Sequence, residues 1–316
     1  MKVLIIGASL VGSQVARLLV EHGKRPVLFD KAHQHSALSD IVDIRDVDIE
    51  VGDILRPFEL VSVIQRYQIS DIVHLAANPL LTKGAQLQPY AAIELNVMGT
   101  SNILEAARNM KLRRVVMASS SAVIESLDGG EDDTDSGGEE LFPRPMTFYG
   151  ATKQAAENLG LNYARQFELD FIGLRFASVA GPWRGTGGGV PSGIFKDALC
   201  SAIVGKKVIL PARPLDWLYV KDAAKATCLA LESVDLKSRI FNISMGKRYY
   251  PNDFRDSIVE VFPQCRVEIE NDQTTPGGST IPQLINITRA REELGYVPAY
   301  NMVDAIRECA DFYRTH

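Results

Sequence analysis

Cysteine is scarce in this chain of 316 residues, and the little there is does not cluster. Cys200, Cys228, Cys265 and Cys309 are widely scattered and form no Cys-x-x-Cys pair. Neither a metal knuckle nor a disulfide framework is indicated, and reduced core thiols of a cytoplasmic protein are expected. Long hydrophobic runs are also missing, so no membrane span is expected. The start does not read as a secretory leader. Met1-Lys2 is followed by only four strongly apolar residues, Val3 to Ile6, and then a glycine, the pattern of a first buried strand. Histidine is rare too. His33 and His35 lie close together, but no carboxylate or Cys cluster accompanies them, so surface side chains are expected and no metal. Positive charge is outnumbered: 34 Lys and Arg stand against 39 Asp and Glu, a formal net charge of -5. No overall basic field exists to recruit nucleic acid or an anionic membrane.

What remains is an ordinary globular composition, 46% hydrophobic and 23% charged. Its length suits one large α/β domain with a smaller companion. The first two-fifths alternate strand and helix. Val3–Ile6 is continuous, apolar and β-branched, a buried strand. Ser13–His22 places Val15, Leu18 and Leu19 on one helical face, with Gly23 past its end. Val27–Phe29, Asp71–Leu75, Arg114–Ala118 and Phe171–Leu174 read as further strands. Phe58–Tyr67, Ala91–Met110 and Tyr149–Gln166 read as helices. Such alternation implies a parallel sheet covered on both faces. Later, Leu236–Ser244 and Arg266–Ile269 look like short strands, and Asn252–Val261 and Met302–Tyr313 like helices.

Two stretches interrupt this rhythm. Glu125 to Glu140 is Gly-rich and acidic, with Asp128, Glu131, Asp132, Asp133, Asp135 and Glu139 and no basic residue. It reads as a solvated surface loop or as a lid between two candidate catalytic segments. Gly181 to Gly193 includes Gly185, Gly187, Gly188 and Gly189. It reads as backbone that approaches a ligand closely or as a flexible linker.

Gly7-Ala8-Ser9-Leu10-Val11-Gly12 joins the first strand to the first helix. A glycine turn there lets backbone N–H groups and a helix N-terminus meet a pyrophosphate. The middle glycine of the usual pattern is missing, leaving Gly7 and Gly12 as anchors. Asp30 ends the second strand. A carboxylate there accepts hydrogen bonds from ribose hydroxyls and repels a 2′-phosphate, which favours NAD over NADP. Lys31 beside it would tolerate that phosphate.

Tyr149 and Lys153 stand four residues apart, one turn apart on one helix face. A free phenol is a poor base at neutral pH, and a nearby cation stabilises the phenolate. Ala118-Ser119-Ser120-Ser121 follows a strand at the expected carboxyl edge of the sheet. A serine hydroxyl there can orient a substrate oxygen and donate a hydrogen bond to a developing alkoxide.

With these features in order, the chain resembles the extended short-chain dehydrogenase/reductase superfamily, in its NAD-dependent epimerase/dehydratase branch. Further matching features are Gly52-Asp53, His74-Leu75-Ala76-Ala77, Asn96-Val97-Met98-Gly99-Thr100, Leu174-Arg175-Phe176, Gly181-Pro182, Tyr219 to Ala224, and Leu294-Gly295-Tyr296 with Pro298. The resemblance implies an α/β fold, a Rossmann-type doubly wound parallel sheet with a smaller C-terminal α/β substrate-binding domain. It places the NAD-binding domain at 1–175, with 209–243 packing back onto it, and the substrate domain at 176–208 and 244–316. It implies that Asp53 and Ile54 flank the adenine. Leu75, Ala76 and Ala77 would run beneath the cofactor, with Asn96 and Ala118 beside it. Lys153 would also hold the nicotinamide ribose. Ser120, Tyr149 and Lys153 would be catalytic, Ser120 being three residues before Val123-Ile124, with Ser121 the neighbouring alternative.

Departures narrow the reaction. Dehydratases of this branch carry an Asp-Glu pair where Ser121-Ala122 stands. Nucleotide-sugar enzymes usually show Arg-Pro-Gly-Asp where this chain has Thr275-Pro276-Gly277-Gly278. Ser178 replaces the usual Asn, and Ala180 the usual Tyr. Arg184 and Arg213 are left to supply a substrate-binding cation, with Ser120, Ser121 and Ser178 beside the substrate. The resemblance leaves three readings. One is reversible hydride transfer at a secondary alcohol of a sugar, sugar acid or related polyol. The second is a nucleotide-sugar 4-epimerase, and the third a non-catalytic NAD-sensing or scaffold protein. It also implies a homodimer through the helices Ala91–Met110 and Tyr149–Gln166, with Leu95, Met98, Ile103, Leu159 and Tyr163 as apolar surface.

Overall fold

The computed structural model describes residues 1–78, 81–124, 137–270 and 284–316. Of the acidic stretch only 137–140 falls within them, and Thr275-Pro276-Gly277-Gly278 lies outside them.

The chain opens β1 (Val3–Ile6), α1 (Leu10–Glu21), β2 (Val27–Asp30), α2 (His35–Ser39) and β3 (Asp48–Val51). There follow α3 (Pro57–Tyr67), β4 (Asp71–His74), α4 (Leu81–Leu87), α5 (Pro89–Ile93) and α6 (Gly99–Asn109). Then come β5 (Arg114–Ser120), α7 (Phe148–Phe167), β6 (Asp170–Phe176) and β7 (Ser178–Ala180). The remainder is α8 (Gly189–Ile203), β8 (Val208–Pro211), β9 (Leu215–Tyr219), α9 (Val220–Glu232), β10 (Ile240–Ile243), β11 (Arg248–Tyr249), α10 (Pro251–Val261), β12 (Val267–Glu270), α11 (Thr288–Leu294) and α12 (Met302–Thr315).

Seven strands form one parallel sheet in the order β10-β6-β5-β4-β1-β2-β3. The winding reverses between β1 and β4, so a crevice opens beyond their carboxyl ends. Both faces are covered. One buries Ile5, Leu28, Val73, Val116 and Leu174 against α1, α9 and α11. The other buries Leu4, Phe29, Ile72, Val115 and Phe171 against α3, α6 and α7. Two-sided burial explains why β1 reads as an unbroken apolar run. A third cluster, with Phe195, Trp217, Phe254 and Ile306, sits among α8, α10 and α12. Two small sheets flank it, β11-β9-β7 and β12-β8. The strand expected near 236–244 is β10, which lies at the edge of the large sheet against β6.

Helix ends follow local chemistry. Thr147 caps α7, its hydroxyl accepting from the Gly150 N–H at 3.0 Å. Pro57 opens α3, and Gln68 ends it in the left-handed conformation. Two elements differ from the sequence reading. The expected helix 91–110 is a run from 89 to 109 interrupted by a π-helical turn, Glu94–Met98. The Gly-rich segment passes into α8, whose Gly189, Pro191 and Gly193 hide its helical pattern.

Two glycines test the packing with opposite signs. A Cβ on Gly160 of α7 would lie 2.2 Å from the Phe171 ring, whereas one on Gly193 of α8 meets nothing within 4 Å. Gly160→Ala is expected to destabilise the fold by about 1–3 kcal/mol, as overpacked cores do. Gly193→Ala is expected to stabilise it by about 0.5–1 kcal/mol, the helix-propensity difference. Urea unfolding of both variants reads the two signs.

Candidate active site

The carboxyl end of β1 meets α1 in a turn with no room for a side chain at Gly7 or Gly12. Gly7 has φ 102°, and a Cβ on it would lie 2.8 Å from the Ala76 nitrogen. A Cβ on Gly12 would lie 2.0 Å from the Gly7 carbonyl oxygen. The turn is therefore pressed against both its own helix and the segment after β4. Ser9 sits at the N-cap of α1 without a side-chain capping bond, and Leu10 and Val11 begin the first turn. Asp30 reaches back into this turn, its carboxylate accepting the Ala8 N–H at 2.8 Å. Lys31 leans the other way, onto Asp53 at 3.1 Å. The cation that would tolerate a 2′-phosphate is thus drawn to a carboxylate. Asp53 also accepts the Leu55 N–H at 2.9 Å. The Ile54 side chain is buried against Gly99.

The Gly-rich segment folds over the same turn. Gly187 lies beside Ser9, and Gly188 beside Leu10. Gln34 bonds the backbone of Thr186 from both ends of its amide, and Trp183 Nε1 donates to the Thr186 carbonyl at 3.0 Å. The segment is thus not a free linker but a strap packed on the turn after β1.

Tyr149 and Lys153 lie where the helix reading put them, in the first turns of α7, and both are buried. The Lys153 ammonium is 5.8 Å from the Tyr149 ring centre. It donates to the Ala118 carbonyl at the end of β5, at 2.8 Å. Burial pushes this lysine down to about 8, against the opposing pull of Glu157. A Cβ on Gly150 would lie 2.3 Å from the Ala122 carbonyl, so α7 docks tightly on the turn after β5. Ser120 ends β5, its hydroxyl accepting the Ala122 N–H at 3.2 Å, and Ser121 begins the short helical turn that follows. Ala77 packs beside Tyr149 and Ala122, which brings the segment after β4 to the same place.

Beneath these groups runs a polar network. The Ser119 hydroxyl donates to Glu157, one helical turn beyond Lys153. Arg175 on β6 grips Glu157 with two bonds, at 2.9 and 2.8 Å. Asn96, in the π-helical turn, accepts the Asn78 N–H at 3.0 Å and donates to Thr152 at 2.9 Å. Thr152 in turn donates to the Tyr149 carbonyl. His74 bonds Thr100 at 2.9 Å, and burial, with Lys153 nearby, pushes its imidazole down to about 3. Glu157, Arg175, Thr152 and Gln34 were not singled out by sequence as site residues. For Glu157 a signal existed: Tyr149, Lys153 and Glu157 form one i, i+4, i+8 stripe.

Other expected residues are dispersed. Leu75 continues past β4, its N–H donating to the Ile6 carbonyl at 2.8 Å, Ala76 lies against Gly7, and Ala118 pairs with Leu174. Ser178 begins β7, where it pairs with Trp217 of β9. Arg184 is engaged within the protein. Its guanidinium grips Asp40 through two bonds, at 2.7 and 3.0 Å, and also donates to the His316 backbone carbonyl. It ties the strap to the end of α2 and to His316. Arg213 lines a recess with Phe195, Trp217 and Tyr249 and has no ion-pair partner among the described residues. His33 bonds the Glu50 carbonyl at 2.8 Å. Among the described residues no group of three or more His, Cys, Asp or Glu side chains could hold a metal ion. No helix there is long and apolar enough to cross a membrane.

A glycine turn at the reversal of a parallel sheet, facing a Tyr–Lys pair, defines a nucleotide-dependent oxidoreductase fold. The sequence profile of the NAD dependent epimerase/dehydratase family matches residues 3–244, and the chain belongs to that family. It is 27% identical over 329 residues to a UDP-glucose 4-epimerase of Corynebacterium glutamicum, covering 98% of this chain and 94% of that one. An L-threonine dehydrogenase from Cupriavidus necator superimposes with TM-score 0.84 at 25% identity, over 98% of this chain and 99% of that one. A UDP-glucose 4-epimerase of Thermotoga maritima, 21% identical, shares the fold over 100% of this chain and 99% of that one, with TM-score 0.84. This chain is thus an NAD-dependent enzyme of the epimerase/dehydrogenase kind. The side-chain-free cradle at Gly7 and Gly12, the uncapped start of α1 and the placement of Asp30 all fit NAD.

Replacing Asp30 with Ala removes a charge-assisted hydrogen bond to the turn. NAD affinity is expected to fall about 10- to 100-fold, the range for such bonds. NADP affinity should fall less, narrowing the preference. Calorimetric titration of both cofactors measures the two changes.

Proposed function

We propose that this enzyme transfers hydride reversibly at a secondary alcohol of a sugar, sugar acid or related polyol. The observation carrying this reading is the buried Lys153 ammonium, fixed to the Ala118 carbonyl one helical turn from Tyr149. A cation held there favours the phenolate, so Tyr149 takes the hydroxyl proton as the alcohol is oxidised and returns it on reduction. Ser120 keeps its hydroxyl proton available while its oxygen accepts from Ala122, and it steadies the substrate oxygen. Bound NAD supplies the hydride acceptor and donor. Gly7, Ser9, Leu10, Val11 and Gly12 receive its phosphates, Asp30 its adenosine ribose, and Asp53 and Ile54 its adenine. Leu75, Ala76, Ala77, Asn96 and Ala118 border the remainder, and Lys153 holds the nicotinamide ribose.

Arg213 is the cation assigned to an anionic part of the substrate, with Ser121 and Ser178 as further polar contacts. A UDP-sugar 4-epimerase would use the same proton-handling groups, and the Corynebacterium relative favours that second reading. The two separate experimentally. An epimerase yields inverted product without net NADH, whereas a dehydrogenase accumulates NADH. A cytoplasmic location accompanies the reading, supported by four free thiols.

A homodimer through α6 and α7 is part of the same proposal. Of the residues expected there, Ile103 is buried in the sheet-facing core, and Leu95, Leu159 and Tyr163 pack partly against that core. Met98 is exposed, together with Tyr90, Ile93 and Phe167. Light scattering at micromolar concentration should give twice the chain mass, and a monomeric mass would remove this part.

Turnover tests the chemistry. A substrate panel read by NADH formation and by NMR of the products identifies the reaction. On the active substrate, Tyr149→Phe should lower kcat by a factor on the order of 10²–10⁴ with NAD binding preserved. Lys153→Met should weaken NAD and move the acid limb of the oxidation profile to higher pH, because the phenol loses its cation. Ser120→Ala should cost less than either, and Ser121→Ala least. Full activity in Tyr149→Phe would refute the mechanism.

A further inference from the structure

Glu157 and Arg175 form a buried ion pair directly below the proposed proton-handling groups, and neither is needed as an apolar spacer. Each side chain is only 4% exposed. The guanidinium donates twice to the carboxylate, and Ser119 donates a third bond. Arg175 also reaches the Glu139 carbonyl at 3.4 Å. A hydrophobic pair of similar volume would join α7 to β6 without the desolvation penalty of two ions. A charged pair in this place therefore asks for an electrostatic explanation.

Its position supplies one. Glu157 follows Lys153 by one turn on α7, and its Ser119 partner is next to Ala118, whose carbonyl holds the Lys153 ammonium. A lone carboxylate here would favour the Lys153 cation but oppose the Tyr149 phenolate. A lone guanidinium would do the reverse. Paired, the two fields largely cancel at Tyr149, and three hydrogen bonds hold the carboxylate in place.

We propose that Glu157, Arg175 and Ser119 are positioning residues acting as one neutral unit, which fixes the electrostatic potential in which the Tyr149–Lys153 pair exchanges its proton. This rests on the proposed Tyr149–Lys153 chemistry. The other titratable and charged groups around the unit are named by the packing. His74 faces Lys153 from β4 and is kept neutral by burial. Glu139 lies on the segment before α7, where its carboxylate accepts the Asn242 N–H at 2.8 Å and stands 3.6 Å from Arg289. Glu139 is thus partnered in turn.

The unit predicts shifts of opposite sign, which loss of packing alone does not. Ultraviolet difference titration of the full chain with NAD bound reads the Tyr149 phenolate, with a Tyr149→Phe version of each variant as its blank. Glu157→Gln leaves Arg175 unpaired and should lower the Tyr149 midpoint by up to about one pKa unit, the scale of a charge about 12 Å away, two helical turns, at an effective dielectric of about 20. Arg175→Met leaves Glu157 unpaired and should raise it by a similar amount. The double variant should return close to the parent value. Shifts of the same sign, or no shift, would overturn the proposal while leaving the Tyr149–Lys153 chemistry intact. A parent phenolate that appears only in the ordinary tyrosine range would instead sink that chemistry. If a single variant does not fold, Glu157→Asp carries the test, since it keeps the charge and shortens the arm. An unshifted phenolate in a less stable protein then supports the neutral unit, and a shift overturns it.

Discussion

All seven strands of the large sheet run the same way, so every strand ends its backbone on the same edge. Parallel strands cannot be joined by tight hairpins. Each return passes through a helix on one face, and both faces become buried. The loops leaving the carboxyl edge are the places where backbone polar groups and reactive side chains remain available. Gly7, Asp30, His74, Ser120 and Phe176 are all set on that edge or just beyond it by the pairing of β1, β2, β4, β5 and β6. The reversal between β1 and β4 then makes the crevice, and the missing Cβ atoms of Gly7 and Gly12 let it close down to backbone.

Helix α7 turns this scaffold into chemistry because it sits unusually close to the sheet. Gly150 and Gly160 leave no space above the Ala122 carbonyl and the Phe171 ring. A helix drawn in so tightly buries whatever projects from its inner face, and here that face carries Tyr149, Lys153 and Glu157. Buried charges require partners. Lys153 finds the Ala118 carbonyl, and Glu157 finds Arg175 and Ser119. The same closeness that orients the lysine also lowers its proton affinity.

The layer of α8, α10 and α12 meets the large sheet by contact, its two small sheets sharing no strand with that sheet. Its strap over Ser9 and Leu10 is held by Gln34 and by the Arg184–Asp40 pair, with the last residue, His316, joining the same knot. The start of α1 is thus covered by residues from three distant parts of the chain. Its aromatic cluster, with Phe195 stacked between Trp217 and Phe254, forms a stiff wall beside Arg213.

Much of this was legible in the residues themselves. Unbroken apolar strands alternating with amphipathic helices could bury themselves only as a parallel sheet, and the glycine turn, Asp30, Tyr149 and Lys153 announce themselves by local spacing. Those signals are short-range, set by the pleat of a strand or the turn of a helix. Helix α8 was hidden because Gly189, Pro191 and Gly193 mask its periodicity, although its packing against Trp217 and Phe254 holds it. Arg184 looked available because its partner Asp40 is 144 residues away. The inward turn of the Ser119 hydroxyl also depended on the tertiary structure. β5 continues through Ser119 and Ser120, and only the position of Glu157 beneath the strand shows which hydroxyl is turned inward. Local spacing could name the chemical groups, because it depends on covalent geometry. Which charge neutralises which could be decided only by the folded sheet, because electrostatic partners are chosen by distance in space and by the water excluded between them.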